Sequence, residues 1–308
     1  MAQQTALVIG TRGSPLALRQ AHETQDRLAA ALGWEHVQLP LSVIKTTGDV
    51  IQDRALSEAG GKGLFTKELD VALLDGAIDL AVHSAKDLPT RLPDGLAIAG
   101  YLPREDARDA FISRIAGSIA ALPRGAVVGS ASLRRQAQIK RARPDVAITL
   151  LRGNVGTRLA RTENGEIAAT LLAVAGLKRL GLLGHAAAIL ETDEFLPAVG
   201  QGAIAIVVRA ADARVQQLVA PILDDATGIA LAAERAFLAV LDGSCRTPIA
   251  GHARLVDGQL SFRGLVLRPD GSQSVEVART ATPMDAARIG DEAGRDVKAR
   301  MPAGMLAV

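Results

Sequence analysis

A chain of 308 residues exceeds what one hydrophobic core ordinarily supports and points to two or three domains. Lysine and arginine number 35 against 33 acidic residues, so at a net charge of +2 no global field draws the molecule to nucleic acid or a membrane surface, and any basic site must be local. A single cysteine excludes an internal disulfide framework, and aromatic residues at 2% leave an aliphatic core with few stacking platforms.

In chain order, the opening Met1-Ala2-Gln3-Gln4-Thr5-Ala6 lacks the charged and apolar regions of a signal peptide. No apolar run reaches the roughly 18 residues of a membrane span, so a cytoplasmic protein is expected. Ala6 to Ile9 reads as a strand that breaks at Gly10 and leads into Thr11-Arg12-Gly13-Ser14-Pro15. Ser14 suits a helix N-cap and Pro15 the first helical position; Leu18, Ala21, Leu28 and Leu32 recur at near-helical spacing until Gly33. Val37, Leu39, Leu41 and Val43 alternate as a second strand, with Pro40 favouring an edge position. Residues 45–63 are polar and glycine-rich and read as a flap. A helix is predicted from Leu64, with Phe65, Leu69, Ala72 and Leu73 on one face, then a strand from Ile78 to Val82 that runs into His83-Ser84-Ala85-Lys86-Asp87. Residues at the carboxyl end of such a strand face the crevice where α/β proteins bind ligands.

The middle third alternates again: strand Ala126 to Val128, helix from Ser132, strand Val146 to Leu151, helix from Asn154, strand Ala168 to Leu172. The last third changes character, with a helix from Gly228 to Leu241, a loop holding Cys245, and apolar runs separated by Asp257-Gly258 and Pro269-Asp270-Gly271. Those turns predict antiparallel pairing, covered by an amphipathic helix after Met284.

Three strand-to-helix junctions carry arginine: Arg12 before Ser14, Arg134 and Arg135 after Ser132, and Arg152 and Arg158 around Asn154. Helix N-termini present unpaired N–H groups and partial positive charge, and guanidinium adds bidentate donors for carboxylate or phosphate. Between Arg124 and Arg161 there are eight arginines and Lys140 against one acid, Asp145. A solvated basic face is the bland explanation, and it suits Lys140, Arg141 and Arg143 at a helix end best. Nucleic acid is disfavoured, because no aromatic lies between Phe111 and Phe195 for bases to stack on.

His83 by itself reads as a structural histidine. Asp87 beside Lys86 reads either as half of an ion pair or as a group that stabilises a cation forming on a substrate. At about 4 Å and an effective dielectric near 20 such a carboxylate contributes on the order of 4 kcal/mol before desolvation, which is kinetically significant. Cys245, in Asp242-Gly243-Ser244-Cys245-Arg246-Thr247-Pro248, sits among small and polar neighbours that argue against an apolar core and for a covalent anchor. With one cysteine and five histidines out of ligand spacing, no metal site is expected.

With these residues in place, the sequence resembles the porphobilinogen deaminase (hydroxymethylbilane synthase) family over essentially its whole length. The resemblance is carried, in the family's order, by Thr11-Arg12-Gly13-Ser14-Pro15-Leu16-Ala17-Leu18, Gly60-Gly61-Lys62-Gly63-Leu64-Phe65, Val82-His83-Ser84-Ala85-Lys86-Asp87-Leu88-Pro89, Ser132-Leu133-Arg134-Arg135-Gln136, Leu151-Arg152-Gly153-Asn154-Val155-Gly156-Thr157-Arg158 and Pro197-Ala198-Val199-Gly200-Gln201-Gly202, with the late cysteine added.

The resemblance implies an α/β fold of three domains, the first two like the lobes of a periplasmic binding protein around a cleft, the third a small α+β domain with an antiparallel sheet. Their implied extents are 1–102 plus 199–220, with the flap 45–63; 103–198, rich in arginine; and 221–308, bearing the cysteine loop. A strand near Gly200 to Arg209 would return to the first domain. The implied activity is that of a transferase of tetrapyrrole and heme biosynthesis: four porphobilinogen molecules condense head to tail, each losing ammonia, and water releases hydroxymethylbilane.

Residue by residue, Cys245 would carry a dipyrromethane cofactor through a thioether. Ser84, Lys86, Asp87, Ser132, Arg134 and Arg135 would bind that cofactor, and Arg12, Ser14, Arg152 and Arg158 the substrate carboxylates. Lys62 and Phe65 would belong to the flap, and Asp87 would be catalytic, accepting pyrrole N–H hydrogen bonds and stabilising the azafulvenium cation. The expected partner is porphobilinogen alone, with no nucleic acid or membrane, and the expected state a monomer. Glu58, Ser244 and Arg246-Thr247 depart from the family's pattern and put flap electrostatics and the thiol environment in doubt. Two other readings are a two-lobed binding protein that captures an organic anion without turnover, which leaves Asp87 and Cys245 without roles, and a thiol hydrolase, which needs a nearby histidine base that the sequence does not announce.

Overall fold

The computed structural model describes residues 6–50, 64–243 and 247–306. Most of the predicted flap, with Glu58 and Lys62, and the loop positions Ser244, Cys245 and Arg246 lie outside the described residues. Contacts divide the chain into two compact units: one holds the described residues up to Glu105 together with Ala203–Gly228, the other Asp106–Gly202 and the chain from Ile229 onward.

The chain first forms β1 (Ile9–Arg12), β2 (Leu41–Ile44), β3 (Leu80–Ser84) and β4 (Leu96–Tyr101). In the second unit follow β5 (Asp109–Ile112), β6 (Val127–Gly129), β7 (Ala147–Thr149), β8 (Ala169–Ala173) and β9 (Ala188–Leu190). It then returns to the first unit as β10 (Ile204–Arg209), before β11 (Ile249–Val256), β12 (Gln259–Leu267) and β13 (Ser274–Ala281).

The first sheet runs β2-β1-β3-β10-β4 and the second β7-β6-β8-β5-β9. They are built alike: in each, four of the five strands run in one direction and one, β10 or β5, is antiparallel to both neighbours. In each sheet that antiparallel strand is the first one laid down after the chain enters the unit from the other. The returning strand expected near Gly200 to Arg209 is therefore present as β10. This is the mixed α/β class expected from the sequence: two sheet-rich lobes and a small third part with an antiparallel sheet.

Local sequence sets the helices that matter for the site. Ser14 Oγ accepts from Ala17 N at 3.3 Å, Pro15 opens the helix Pro15–Leu32, and Gly33 closes it at φ 65°, a conformation that costs glycine little. Ser132 caps the helix Leu133–Ala142 and Asn154 caps Val155–Glu163, each through its side-chain oxygen. The apolar face of the first helix, with Ala21 and Leu28, covers a core of Leu7, Ile9, Leu80, Val82, Ile204 and Ile206. The central strands β3, β8 and β10 are buried on both faces and so read as continuous apolar runs.

The third sheet, β11-β12-β13, is antiparallel throughout. Its first turn places Asp257 at φ 50° and Gly258 at φ 76°, the mirror-image geometry that Asp-Gly favours between paired strands. Gly264 is required there by close approach, since a Cβ would stand 2.6 Å from Phe237 Cζ of the helix Asp225–Val240. Phe237 also packs on Phe262 at 5.1 Å between ring centres. The expected last helix covers this sheet as Ala286–Arg300. Among the described residues no helix is long and apolar enough to cross a membrane.

Several boundaries differ from the sequence reading. The first strand extends through Gly10 to Arg12, because Ile78 packs where a Cβ on residue 10 would lie, 2.2 Å from Ile78 Cδ1. Val37 is 79% exposed, in a one-turn helix, His36–Gln38, that Glu35 and Gln38 cap reciprocally; only Leu41–Ile44 is strand, at the sheet edge that Pro40 predicted. The helix predicted from Leu64 begins at Lys67, behind Thr66 at its N-cap.

Candidate active site

In the first unit, β1 and β3 are parallel, with Ile9 opposite Leu80 and Gly10 opposite Ala81, so Arg12 and Ser84 emerge at the same carboxyl edge of the sheet. Beyond Ser84 the chain makes one tight helical turn, Ala85–Asp87, anchored by Ala85 N donating to Ala203 O at 3.0 Å. The turn brings Asp87 Oδ2 to 4.0 Å from Arg12 Nη1, with both side chains partly exposed. The Arg12 guanidinium also lies over the Phe65 ring, whose centre is 4.3 Å from Arg12 Cζ. Lys86 is half-buried in the same turn. Ser14 spends its oxygen on the helix cap, which leaves its O–H to donate.

In the second unit, the helix Leu133–Ala142 starts just after β6 and the helix Val155–Glu163 just after the β7 segment. Ser132 Oγ accepts from Arg135 N at 3.4 Å, and Asn154 Oδ1 from Thr157 N at 2.9 Å. Gly153, at φ 103°, turns the chain so that its carbonyl accepts from Arg158 Nε at 3.0 Å. Arg152 and Arg158 are half-buried.

Arg134 and Arg135 are placed differently from the surface junction the sequence suggests. Both are buried, and both bind Asp109: Arg134 Nη2 donates to Oδ2 at 2.7 Å, and Arg135 Nη2 to Oδ1 at 2.6 Å. Burial alone would raise the Asp109 pKa; the two guanidiniums outweigh it and hold the carboxyl well below the usual range. The single local acid counted from the sequence, Asp145, instead pairs with Arg143, whose Nη1 also donates to the carbonyls of Ala120 and Leu122 at 2.9 Å. With Arg141 paired to Glu276 at 2.6 Å, that helix end is structural.

Each unit thus carries cations at strand ends and helix N-termini with a carboxylate among them, Asp87 in the first and Asp109 in the second. The family model described as "Porphobilinogen deaminase, dipyromethane cofactor binding domain" matches residues 7–217, and "Porphobilinogen deaminase, C-terminal domain" matches 229–299. The chain belongs to the porphobilinogen deaminase family. The Porphobilinogen deaminase of Nitrobacter hamburgensis is 57% identical over 292 residues, covering 95% of this chain and 92% of the relative; that of Paracoccus denitrificans is 54% identical over 300 residues, covering 97% and 96%. Among solved structures, a periplasmic substrate-binding protein of an ABC transporter from Coxiella burnetii is similar at a TM-score of 0.45 and 14% identity, covering 70% of this chain and 91% of that one.

The family's dipyrromethane bears acetate and propionate groups, and the donor set fits such a polyanion: guanidinium, ammonium and hydroxyl groups at helix N-termini, with Arg134 Nε buried and lacking a hydrogen-bond partner. Two residues near this chemistry escape a reading of motifs. Gln20 is buried on the inner face of the helix Pro15–Leu32 and its Nε2 donates to Ser84 Oγ at 2.9 Å. Its only signal in the sequence is a polar residue at a core-facing position between Ala17 and Ala21. Asp109 likewise heads the apolar run Ala110-Phe111-Ile112, where a lone acid is out of place.

His83 is buried in β3 opposite Ala205, and its Nε2 has no hydrogen-bond partner. Burial, and then the charge of Arg12, hold its pKa down at about 4. The unfolded value near 6.5 is higher, so the unfolded chain binds more protons between the two and stability falls as pH drops from about 6.5 to about 4, by roughly 3 kcal/mol in all. Urea titrations of the parent and His83→Gln across this range should diverge by that amount; parallel pH dependences would show that His83 carries no such penalty.

Proposed function

We propose that this chain runs the porphobilinogen deaminase reaction with Asp87 as its catalytic group and Cys245 as the attachment point of the dipyrromethane. The observation that carries the assignment of Asp87 is its position at the carboxyl end of β3, beyond Ser84 and 4.0 Å from Arg12. When bound, the dipyrromethane supplies the pyrrole α-carbon from which the product grows. Ser84, Lys86, Ser132, Arg134 and Arg135 would hold its carboxylates.

Arg12, Ser14, Arg152 and Arg158 would take the acetate and propionate of the incoming porphobilinogen and orient its aminomethyl group. In each cycle a C–N bond to nitrogen breaks, a C–C bond forms, and the proton lost from the pyrrole α-carbon balances the departing ammonia. Positive charge develops on the substrate pyrrole as nitrogen leaves, and Asp87 would accept its N–H while opposing that charge. Arg12 is well placed to hold Asp87 in orientation, because the pair at 4.0 Å is loose enough for a substrate carboxylate to share the guanidinium.

The division of labour that this reading assigns is 1–102 with 199–220 and 103–198 for binding, and 221–308 for the cysteine loop. A cytoplasmic monomer belongs to the same reading, and light scattering tests the monomer. The function itself is tested by incubating the protein with porphobilinogen and measuring ammonia and linear tetrapyrrole together. Four ammonia per hydroxymethylbilane are expected; tight binding of porphobilinogen without ammonia release would make the protein a binding protein instead.

A further inference from the structure

We infer that Asp109, held with Gln201 against the guanidiniums of Arg134 and Arg135, is a positioning residue that leaves this pair with one net positive charge, the complement of a single carboxylate of the cofactor. The inference rests on the reading of Arg134 and Arg135 as cofactor ligands.

Asp109 is fully buried at the start of β5, between β8 and β9. Its Oδ2 accepts from Arg134; its Oδ1 accepts from Arg135 Nη2 and Nε and from Gln201 Nε2, the last at 3.0 Å. Arg134 Nη1 is taken by Leu196 O at 2.7 Å, and the Arg134 guanidinium faces the Phe195 ring at 5.7 Å. Asp109 and Leu196 O thus fix Arg134 Nη1 and Nη2 and Arg135 Nη2 and Nε, while Arg134 Nε is buried and has no hydrogen-bond partner.

Charge balance points the same way. Among the described residues neither guanidinium has a second carboxylate partner, so two cations share one anion in a buried site. Both arginines lie in the first turn of the helix Leu133–Ala142, where the backbone adds partial positive charge. A cluster that served packing alone would be expected to balance, because unpaired buried charge is costly. The surplus cation and the orphaned N–H are both satisfied by one anionic ligand group.

The test is a charge relocation. Gln201 Nε2 touches the same carboxylate oxygen that Arg135 does, so Gln201→Glu places an acid on this cluster from the other side. Parent, Asp109→Asn, Gln201→Glu and the double variant are purified as full chains, and intact mass gives the fraction carrying the covalent dipyrromethane. The cluster's net charge is +1 in the parent, +2 in Asp109→Asn, zero in Gln201→Glu and +1 again in the double variant. The ratio of loaded to unloaded chains should fall at least about tenfold in Asp109→Asn, where both guanidiniums lose the carboxylate that aims them, and in Gln201→Glu, where a second carboxylate competes for them, and return to within about threefold of the parent in the double variant. A merely structural role lowers the melting temperature without changing the loaded fraction of folded protein, and that result would overturn the inference, as would a double variant no better than its worse parent. If Asp109→Asn does not fold, the double variant decides, since it returns one acid to the pair without setting two carboxylates against each other; a folded double variant that stays unloaded refutes the charge count. Turnover of porphobilinogen by the parent keeps these outcomes separate from failure of the functional reading.

Discussion

Asp87→Asn is expected to lower kcat by two to three orders of magnitude and to leave KM for porphobilinogen unchanged or reduced. The substitution keeps shape and a hydrogen-bond acceptor and removes only the charge. A unit charge about 4 Å from a developing cation, at an effective dielectric near 20, contributes on the order of 4 kcal/mol before desolvation, and each ~1.4 kcal/mol is tenfold in rate. The sign for KM follows from Arg12, which loses its counter-charge at 4.0 Å and so becomes a better partner for a substrate carboxylate. Steady-state kinetics on fully loaded protein separates the two constants. Equal kcat for parent and variant would remove Asp87 from the chemistry; a raised KM with kcat intact would make it a binding group.

Cys245→Ser is expected to yield a folded chain whose mass equals its sequence and whose turnover is abolished. The chain has one cysteine, so no other thiol can take its place. A thiol is a few per cent thiolate at neutral pH and strongly nucleophilic, whereas a serine hydroxyl is neither. On the proposed reading a thioether at Cys245 forms once and endures, so nucleophilicity during loading matters rather than a pKa tuned for repeated cycles. Intact mass of parent and variant, followed by a porphobilinogen assay, checks both halves. A pyrrole adduct that survives the substitution would place the attachment elsewhere and return Cys245 to an ordinary loop thiol.

Much of this was readable before any coordinates. Ser14, Ser132 and Asn154 cap the helices the sequence assigned to them, because capping depends on one side chain and the next three residues. Asp257-Gly258 turns the third sheet for an equally local reason. An apolar run stops at His83-Ser84, which makes the carboxyl end of β3 legible as a candidate site, and Arg12 and Asp87 meet beyond it. The motifs that carry the family resemblance lie at these same junctions, where backbone geometry and ligand chemistry constrain the same few residues.

Long-range pairing behaved otherwise. Val37 to Val43 alternates like a single strand, yet Glu35 and Gln38 close a helical turn across its first half, and the choice depends on which residues β1 finds to pair with. β10 joins β3 only after Asp106–Gly202 of the second unit have intervened, and nothing in Ile204–Arg209 names its partner. The arginine count between Arg124 and Arg161 suggested a strong positive field, and local sequence offered only Asp145 to oppose it.

By itself the sequence determined which residues are candidates for the chemistry and which short segments present them, since caps, turns and strand ends are decided within a few residues. Only the tertiary structure decided the charge those residues present. Asp109 reaches Arg134 and Arg135 across 25 and 26 positions, and Gln201 reaches Asp109 across 92, because sheet order brings β5 beside β8 and lays the segment around Leu196 to Gln201 on the same arginines. Charge in a buried site is a sum over spatial neighbours, and spatial neighbours are what sheet topology sets.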